Sequence, residues 1–569
     1  MGTVPRVSPE LLPDGRARVQ VVSDVGEVVE PRGGELLIEN PRLWSPETPA
    51  LYRMRVAVRR SDGMEAAVTV RYGIRSVAFT KDRGLLLNGR PYRLRGLCQH
   101  ENFGCLGAAL NVSALKRQLS GMKAIGANAI RTVHNPFSPE FYALCDEMGF
   151  LVMDEAFDEW EKPKVKNGYC RFFSDWAERD LAALVRRDRN HPCVMMWSIG
   201  NEIPEMRERG EAGVRWTKRL VDVVKRLDPT RPVTAGSDRP LASDANGTYA
   251  ALDVVGLNYN ADAFDTLKGR YAMYASETTA SLCSRDSYFF SATGGVLEVV
   301  AARGFQEHSY APRIVFPGAS TLEGSLKVQM EKPWSAGEFS WSYSDYLGEP
   351  YRTGASAETG WPARSSYWGI CDLAGFPKDR YFLHQALWTD AAVLHLMPDW
   401  NLPGCEGALV PVRCYTNCRE AELFLNGRSL GVRRRRDTAD LHLSWRVPYE
   451  PGRLEVRAVT GAGERLVSRR ETVGAVASLR VTEDYADGAF AFYRIDAVDA
   501  EGRHVIACDA LVDVAATGGG IVATDNGDAT DHTPFGAKTR RLFGGSMLVV
   551  VRRTGGQVRV VPSFAEPLR

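Results

Sequence analysis

The sequence predicts a multidomain chain: a (β/α)8 TIM barrel, a partial β-sandwich before it and two β-sandwich domains after it. Three observations predict this. Residues 80–390 alternate short apolar runs with longer amphipathic stretches, and eight of the runs read as strands. Residues 1–79 carry short alternating segments, such as ARVQVVS, GELLIE and YRMRVAVRR, separated by Gly and Pro, which is the pattern of antiparallel β structure. Beyond residue 390 turn-punctuated β segments return, with a break near 474–478 that divides 391–475 from 476–569.

The barrel elements follow in order. YRLRGLCQH is the first strand and VSALKRQLSGMKAIG its helix. NAIRTVH and SPEFYALCDEMG come next, then FLVMDEAF and FFSDWAERDLAALVRRDRN. VMMWSIGNE is followed by one long helical region, MRERGEAGVRWTKRLVDVVKRLD. PVTAGS, DVVGLNY, MYASET and WSAGEFSW supply the last four strands. The helices place apolar residues at three-and-four spacing, as with Phe173, Leu181, Leu184 and Val185. Eight such units over about 300 residues fit a closed barrel. A doubly wound open sheet would also alternate, but it typically carries a Gly-rich phosphate turn after an early strand, and none is present.

A formal net charge of +1 argues against nucleic acid or an anionic membrane as partner. The basic run at 433–436 reads as a solvated hairpin tip. Eleven cysteines, most of them inside apolar runs, read as buried free thiols of a reducing compartment. CYTNC at 414–418 lacks the second ligand pair of a zinc site. No signal peptide and no membrane-length apolar run is visible, so a cytoplasmic protein is expected from the chain as given.

In a (β/α)8 barrel, function gathers at the carboxyl ends of the strands. Here these ends carry His100, His134 with Asn135, Asp154 with Glu155, Asn201 with Glu202, Tyr259, Glu277, and Glu338 near Trp341. Two carboxylates about 5 Å apart can cleave a glycosidic bond with retention, one attacking the anomeric carbon and one protonating the leaving oxygen. Strands four and seven lie roughly across the mouth from each other, so Glu202 and Glu277 can flank a sugar. Asp154, Glu155 and Glu338 are rivals by residue type. For Asp154 and Glu155 the plainer reading is a buried carboxylate paired with an arginine such as Arg131 or Arg95.

An ordered series of motifs resembles glycoside hydrolase family 2, the β-galactosidase and β-glucuronidase group. NPRLWSPETPALY at 40–52 resembles the end of the family's Ig-like sandwich. GLLLNGRPYRLRGLCQHENFG and IRTVHNPFSPEFYALCDEMGFLVMDEAFDEW resemble its first three barrel strands. NHPCVMMWSIGNE resembles the acid/base segment and YASETTASLCSR the nucleophile segment. AGEFSWSYSDYLGEP and SSYWGICDLAGFPKDRYF continue into the barrel's close, while ELFLNGRSLG and DNGD resemble the C-terminal domains, the last of them Ig-like. The resemblance implies a retaining exo-β-glycosidase acting on β-linked oligosaccharides or glycosides, with Glu202 as acid/base, Glu277 as nucleophile and Asn201 contacting a sugar 2-hydroxyl. It needs no cofactor, and no metal-ligand set stands out. A Glu202 acid must hold its proton near neutral pH, while Glu277 needs hydrogen-bond donors, Tyr259 being one candidate. His100 and His134 are candidates for sugar hydroxyls, and Trp341 and Trp368 for a flat apolar face.

Three departures qualify the resemblance. The Asn-x-Lys pair that holds a uronate in the family's β-glucuronidases is replaced by Ser366-Tyr367-Trp368, which favours a β-galactosidase over a β-glucuronidase; β-mannosidase is a further alternative. Asn102 stands where relatives often carry a sugar-binding aspartate, exchanging an acceptor for a mixed donor and acceptor. The jelly-roll domain usual at the front of the family is not in this sequence. That leaves a homo-oligomer open, a periplasmic or secreted location open, and a non-catalytic carbohydrate-binding protein as the alternative from another class.

Overall fold

The computed structural model describes residues 4–314, 320–348 and 363–567. The last two residues of the AGEFSWSYSDYLGEP segment, 349–350, lie outside the described residues. The chain divides into two compact units, residues 1–101, 127–279 and 324–341 in one and 102–126, 280–323 and 342–569 in the other.

The first unit holds a two-sheet sandwich and the strands of the barrel. The sandwich pairs Arg6–Leu11, Ala17–Val22 and Glu35–Ile38 in one three-stranded sheet and Glu27–Glu30, Tyr52–Arg59 and Glu65–Tyr72 in another. Val19, Val56, Val70 and Ile74 lie in one core cluster of this sandwich. Trp44, from the 40–52 motif, is fully buried, and its indole Nε1 donates to the Asp146 carbonyl at 3.0 Å, so this motif docks the sandwich on the barrel.

The barrel strands are β1 (Leu94–Gln99), β2 (Ala129–Thr132), β3 (Leu151–Glu155), β4 (Val194–Asn201), β5 (Val233–Ser237), β6 (Val255–Asn258), β7 (Met273–Thr278) and β8 (Ser335–Ser340). They form a closed barrel in that order, every pair parallel, with Leu94 of β1 opposite Gly337 of β8 at the closure. From β2 to β8 every residue is buried, which is why the sequence reads as continuous apolar runs rather than alternation. All eight strand candidates are present.

The helices depart more. The long region after β4 is two helices, Pro204–Arg207 and Glu211–Leu227, separated at Gly210, whose φ of 140° no helix accommodates. The second buries Trp216, Leu220, Val223, Val224 and Leu227 on one face. The helices after β5 and β6 are short, Pro240–Ala245 and Ala263–Thr266.

The second unit includes the helix Val112–Ala124, capped by Asn111, whose side chain accepts from Ala114 N. It also holds two sandwiches. In the first, Leu394–Met397, Leu409–Thr416 and Leu443–Pro448 face a sheet of Glu420–Leu425, Arg428–Arg434, Arg453–Val459 and Arg465–Glu471. A hairpin from the β7–β8 connection, Phe290–Thr293 and Val296–Val299, joins the first of these sheets, with Val296 opposite Leu409. Gly294 and Gly295 make its turn at φ 57° and 79°, and Leu297 enters the sandwich core. The span expected as barrel, 80–390, therefore also supplies strands to the domain after it. Cys414 and Cys418 lie in that same core beside Leu423, Trp445 and Val456. The arginine run 433–436 ends the strand Arg428–Arg434 and continues into a 3-10 turn rather than forming a hairpin tip. The last sandwich sets a four-stranded sheet, with Phe490–Asp499 and Ser546–Arg553 central, against Leu511–Thr517, Thr539–Arg541 and Arg559–Phe564. No helix among the described residues is long and apolar enough to cross a membrane.

Barrel closure depends on small residues. A Cβ at Gly96 would lie 2.4 Å from the Phe339 ring and 2.6 Å from the Glu338 carbonyl oxygen. Gly96→Ala is expected to destabilise the protein by about 1–3 kcal/mol through overpacking. Urea unfolding measures it; an unchanged midpoint would mean that β1 and β8 separate at no cost.

Candidate functional site

Each functional side chain sits where a parallel strand leaves the barrel, because the polar residue that ends an apolar run has its backbone fixed by the ladder on both sides. The structure gathers Arg131, His134, Glu155, Asn201, Glu202, Asn258, Tyr259 and Glu277 into one hydrogen-bonded cluster at the carboxyl ends of β2, β3, β4, β6 and β7.

Arg131, with no exposed surface, is the centre of this cluster. Its Nε and Nη2 reach Glu155 at 3.2 and 2.9 Å, its Nη1 reaches Glu277 Oε1 at 2.6 Å, and its Nη2 also reaches Asn201 Oδ1 at 2.8 Å. Burial opposes the guanidinium's charge, but Glu155 and Glu277 outweigh it and keep the group firmly protonated. Glu155 accepts in addition from Ser198 Oγ at 2.7 Å and lies 2.6 Å from His134 Nδ1. Burial works to raise its pKa; Arg131 and His134 hold it below the usual carboxylate range. Glu155 is thus a structural counter-ion, as the plainer reading had it.

The two glutamates are held by consecutive residues. Asn258 Nδ2 donates to Glu202 Oε1 at 2.9 Å, and the Tyr259 hydroxyl donates to Glu277 Oε2 at 2.6 Å. Asn258 is itself fixed, donating to Asn201 Oδ1 at 3.0 Å and accepting from Ser276 Oγ at 2.5 Å. Burial, then the charges of Glu277 and Asp238, push the Glu202 carboxyl up to about 7. Burial and Glu277 push the Tyr259 phenol far up, so it remains a donor. Glu202 and Tyr259 adopt left-handed backbone conformations, φ 48° and 56°, which are uncommon for non-glycine residues. Gly236 leaves the room this cluster needs: a Cβ there would stand 3.0 Å from Arg131 Nη2 and from Asn201 Oδ1.

Around the carboxylates stand three rings. His134 stacks on Trp341 with centroids 5.4 Å apart, and His100 meets both edge-on, at 6.0 and 5.6 Å. His134 Nε2 is 3.9 Å from Glu277 Oε1 and 3.4 Å from Asn201 Nδ2. Burial, then His134, lower the His100 pKa to about 3, so that ring is neutral.

The remaining candidates lie elsewhere. Asp154 accepts from the Tyr142 hydroxyl at 2.8 Å, and burial together with Asp188 drives its pKa up; it is the buried carboxylate expected, but the arginine acting on it is Arg187 rather than Arg131 or Arg95. Glu338 accepts from Thr278 Oγ1 at 2.9 Å, and burial lifts its carboxyl to about 7. Its cationic neighbour is Arg93, just before the amino end of β1, and it does not enter the hydrogen bonds around Glu202 and Glu277. In the second unit, Asn102 Oδ1 accepts from Gly104 N at 3.0 Å, which turns the chain into a short 3-10 helix. Trp368 has no exposed surface, and its carbonyl accepts from Arg380 Nη1 at 2.7 Å; a ring with no open face is a packing residue, which corrects its reading as a sugar platform.

For a metal, Asp146, His191 and Cys193 offer ligand atoms within 4.8 Å of one another. Asp146 is already taken, by His191 Nδ1 at 2.6 Å and Cys193 N at 3.0 Å, with Arg71 3.7 Å away. Burial and Asp146 push the Cys193 thiol far up. A protonated thiol beside a guanidinium does not suit a cation, and these residues form a closed hydrogen-bonded group.

Sequence reasoning passed over Asn258, Asp158 and Lys164, and named Arg131 only as a partner for Asp154 or Glu155. The one available signal was position: Asn258 adjoins Tyr259, and Asp158 follows β3 by three residues.

The chain is similar to known glycoside hydrolases. The model of the "Glycosyl hydrolases family 2, TIM barrel domain" matches residues 78–278, that of "Glycosyl hydrolases family 2" residues 8–75, and that of the "Glycoside hydrolase family 2 C-terminal domain 5" residues 480–563. A domain of unknown function matches 407–467. Beta-galactosidase BoGH2A of Bacteroides ovatus is 38% identical over 92% of this chain, which spans 65% of that protein's length. The beta-glucuronidase of Rattus norvegicus is 34% identical over 42% of this chain and 37% of its own. A crystal structure of a beta-glycosidase from Bacteroides vulgatus superposes with a TM-score of 0.84 at 28% identity, covering 99% of this chain and 77% of that one.

Removing the guanidinium would leave Glu155 and Glu277 buried without their cation. Arg131→Met is expected to cost about 3–5 kcal/mol of stability. The check is denaturant unfolding near pH 7; a loss under about 1 kcal/mol would mean that the carboxylates find other compensation.

Proposed function

Because the chain belongs to glycoside hydrolase family 2, we propose that it is a retaining exo-β-glycosidase, a β-galactosidase, which hydrolyses terminal β-linked sugars by double displacement. Glu277 attacks the anomeric carbon as Glu202 protonates the departing glycosidic oxygen, giving a covalent glycosyl-enzyme. Glu202 then takes a proton from water, the water oxygen bonds to the anomeric carbon, and the Glu277 ester bond breaks.

The observation that carries this reading is the unequal treatment of two glutamates gripped by adjacent residues. Glu277 accepts from a guanidinium and a phenol, the environment an attacking carboxylate needs. Glu202 receives one amide N–H and the repulsion of two acids, which suits a group that must deliver a proton near neutrality. Asn201, with its amide aimed between His134 and Asp158, is placed to meet a sugar hydroxyl. His100, His134 and Trp341 would line the sugar's other side. Asn102 stays a weaker candidate for sugar contact, since its oxygen is engaged in its own turn.

Galactoside is favoured over glucuronide on charge. A uronate needs a free cation, and among the described residues of this cluster Arg131 is committed to Glu155 and Glu277 while Lys164 is committed to Asp158. The 38% identity to a beta-galactosidase points the same way.

A panel of nitrophenyl β-D-galactoside, glucuronide, mannoside and glucoside tests the substrate. The galactoside is expected to be hydrolysed fastest. Cleavage of the glucuronide alone would reverse the choice, and silence on all four would favour a carbohydrate-binding protein.

The roles separate by mutation and pH. On an activated aryl galactoside, Glu277→Gln is expected to lose at least about 1,000-fold in kcat/KM, and Glu202→Gln far less, because a good leaving group needs little protonation in the first step. Since the acid must hold its proton, kcat/KM on a poor leaving group should fall as pH rises through about 7, and Glu202→Gln should lack that limb. Equal losses in both variants on the activated substrate would refute the assignment.

A further inference from the structure

Residues 156–169, between β3 and the helix Cys170–Asp188, lie along the end of β4. Ala156 N donates to the Ser198 carbonyl at 2.9 Å, Trp160 Nε1 to the Ile199 carbonyl at 2.9 Å, Lys164 Nζ to the Asn201 carbonyl at 2.8 Å, and Lys162 N to Glu205 Oε1 at 2.6 Å. These contacts bracket Glu202 in sequence. Gly200 leaves room for the segment, since a Cβ there would come within 3.0 Å of Trp160 Nε1. Glu159 holds the segment's own shape, accepting from Lys164 N at 2.7 Å and Cys170 N at 2.9 Å.

Lys164 closes the arrangement. Its ammonium is 2.8 Å from Asp158 Oδ1, and the same carboxylate oxygen accepts from Asn201 Nδ2 at 3.3 Å. One cation and one anion thus hold both the main-chain carbonyl and the side-chain amide of the residue just before Glu202. Without them the Asn201 carbonyl would lose its charged partner at the point where the backbone turns into the left-handed conformation of Glu202.

We propose that Lys164, acting with Asp158, is a positioning residue: it locks Asn201 and thereby orients the Glu202 carboxyl. The proposal rests on the reading of Glu202 as the acid. It brings an electrostatic consequence. The strongest charged influences on Glu202 are Glu277 from β7, Asp238 from the end of β5, and Lys164 from this segment, with Asn258 from β6 as the hydrogen-bond donor and the Tyr259 phenol alongside. Asp158 in turn faces Lys164 and His134. Lys164 is the cation in that set, and it offsets the two acids that drive Glu202 towards its neutral form. Removing it should raise the pH at which Glu202 ionises. Neutralising Asp158 while keeping Lys164 should lower it.

The test uses the full chain in four forms: wild type, Lys164→Met, Lys164→Arg and Asp158→Asn. The Glu202 carboxyl is titrated by 13C NMR on protein labelled at glutamate Cδ, its signal assigned by its loss in Glu202→Gln. In parallel, the pH profile of kcat/KM is recorded on an alkyl galactoside. Lys164→Met should move the Glu202 midpoint up, on the order of half a pH unit, as one removed charge in a partly hydrated site would. Asp158→Asn should move it down, and Lys164→Arg should restore the wild-type value. The alkaline limb of kcat/KM should follow in each case. A midpoint that stays put in both charge variants, or moves the same way in both, overturns the proposal. The nearly isosteric Asp158→Asn variant decides the matter if Lys164→Met does not fold. If no glycoside is hydrolysed by wild type, the reading of the activity fails, while the titration still decides whether Lys164 acts on Glu202.

Discussion

One buried guanidinium sets the terms for the rest of the site. Arg131 has no exposed surface, yet it spans from Glu155 on β3 to Glu277 on β7 and touches Asn201 at the end of β4. A charge so deep is tolerated only because two carboxylates surround it, and each carboxylate is tolerated because of the guanidinium. The three side chains therefore fix one another across the barrel's interior. Everything that follows, from the Tyr259 bond to Glu277 to the placement of Asn258 against Glu202, is built on strand ends whose relative positions this triad determines.

The same electrostatics explains why two glutamates of one cleft behave differently. Arg131 bonds Glu277 on one side and Glu155 on the other. Glu202 receives the repulsion of Glu277 without a share of the guanidinium. Negative charge is thus compensated by direct contact at one carboxylate and only in part, through Lys164, at the other. The acid and nucleophile roles proposed for them require that imbalance, and it arises from residues placed on separate strands rather than from any special property of either glutamate.

Much of this is legible in the sequence. The eight strands of the barrel were visible as apolar runs because parallel strands covered on both faces leave no other pattern. Glu202, Glu277 and Tyr259 were visible because each ends such a run in a polar group. What could not be read was pairing across the barrel. Glu155 and Asp154 are adjacent in sequence and alike in type, yet the pleat sends one to Arg131 inside the barrel and the other to Tyr142 on a neighbouring helix. Trp341 and Trp368 both offered aromatic faces in the sequence; Trp341 meets His134 and His100, while Trp368 is fully enclosed. The break at Gly210 was signalled by its own residue type but overridden by the helical periodicity around it. The Lys164 segment gave no signal, since its value lies in which carbonyls it meets and not in its composition.

The hairpin at 290–299 bears on how the chain can be taken apart. Its second strand supplies an edge to the sheet of the sandwich that follows the barrel, and Leu297 fills part of that sandwich's core. The module is therefore discontinuous: about ten of its residues arrive from inside the barrel's seventh connection. A fragment started at residue 391 would carry a gap in its hydrophobic filling and a bare strand margin at Leu409, open to self-association. Any dissection of the chain must therefore carry the hairpin along with the sandwich to keep that module whole.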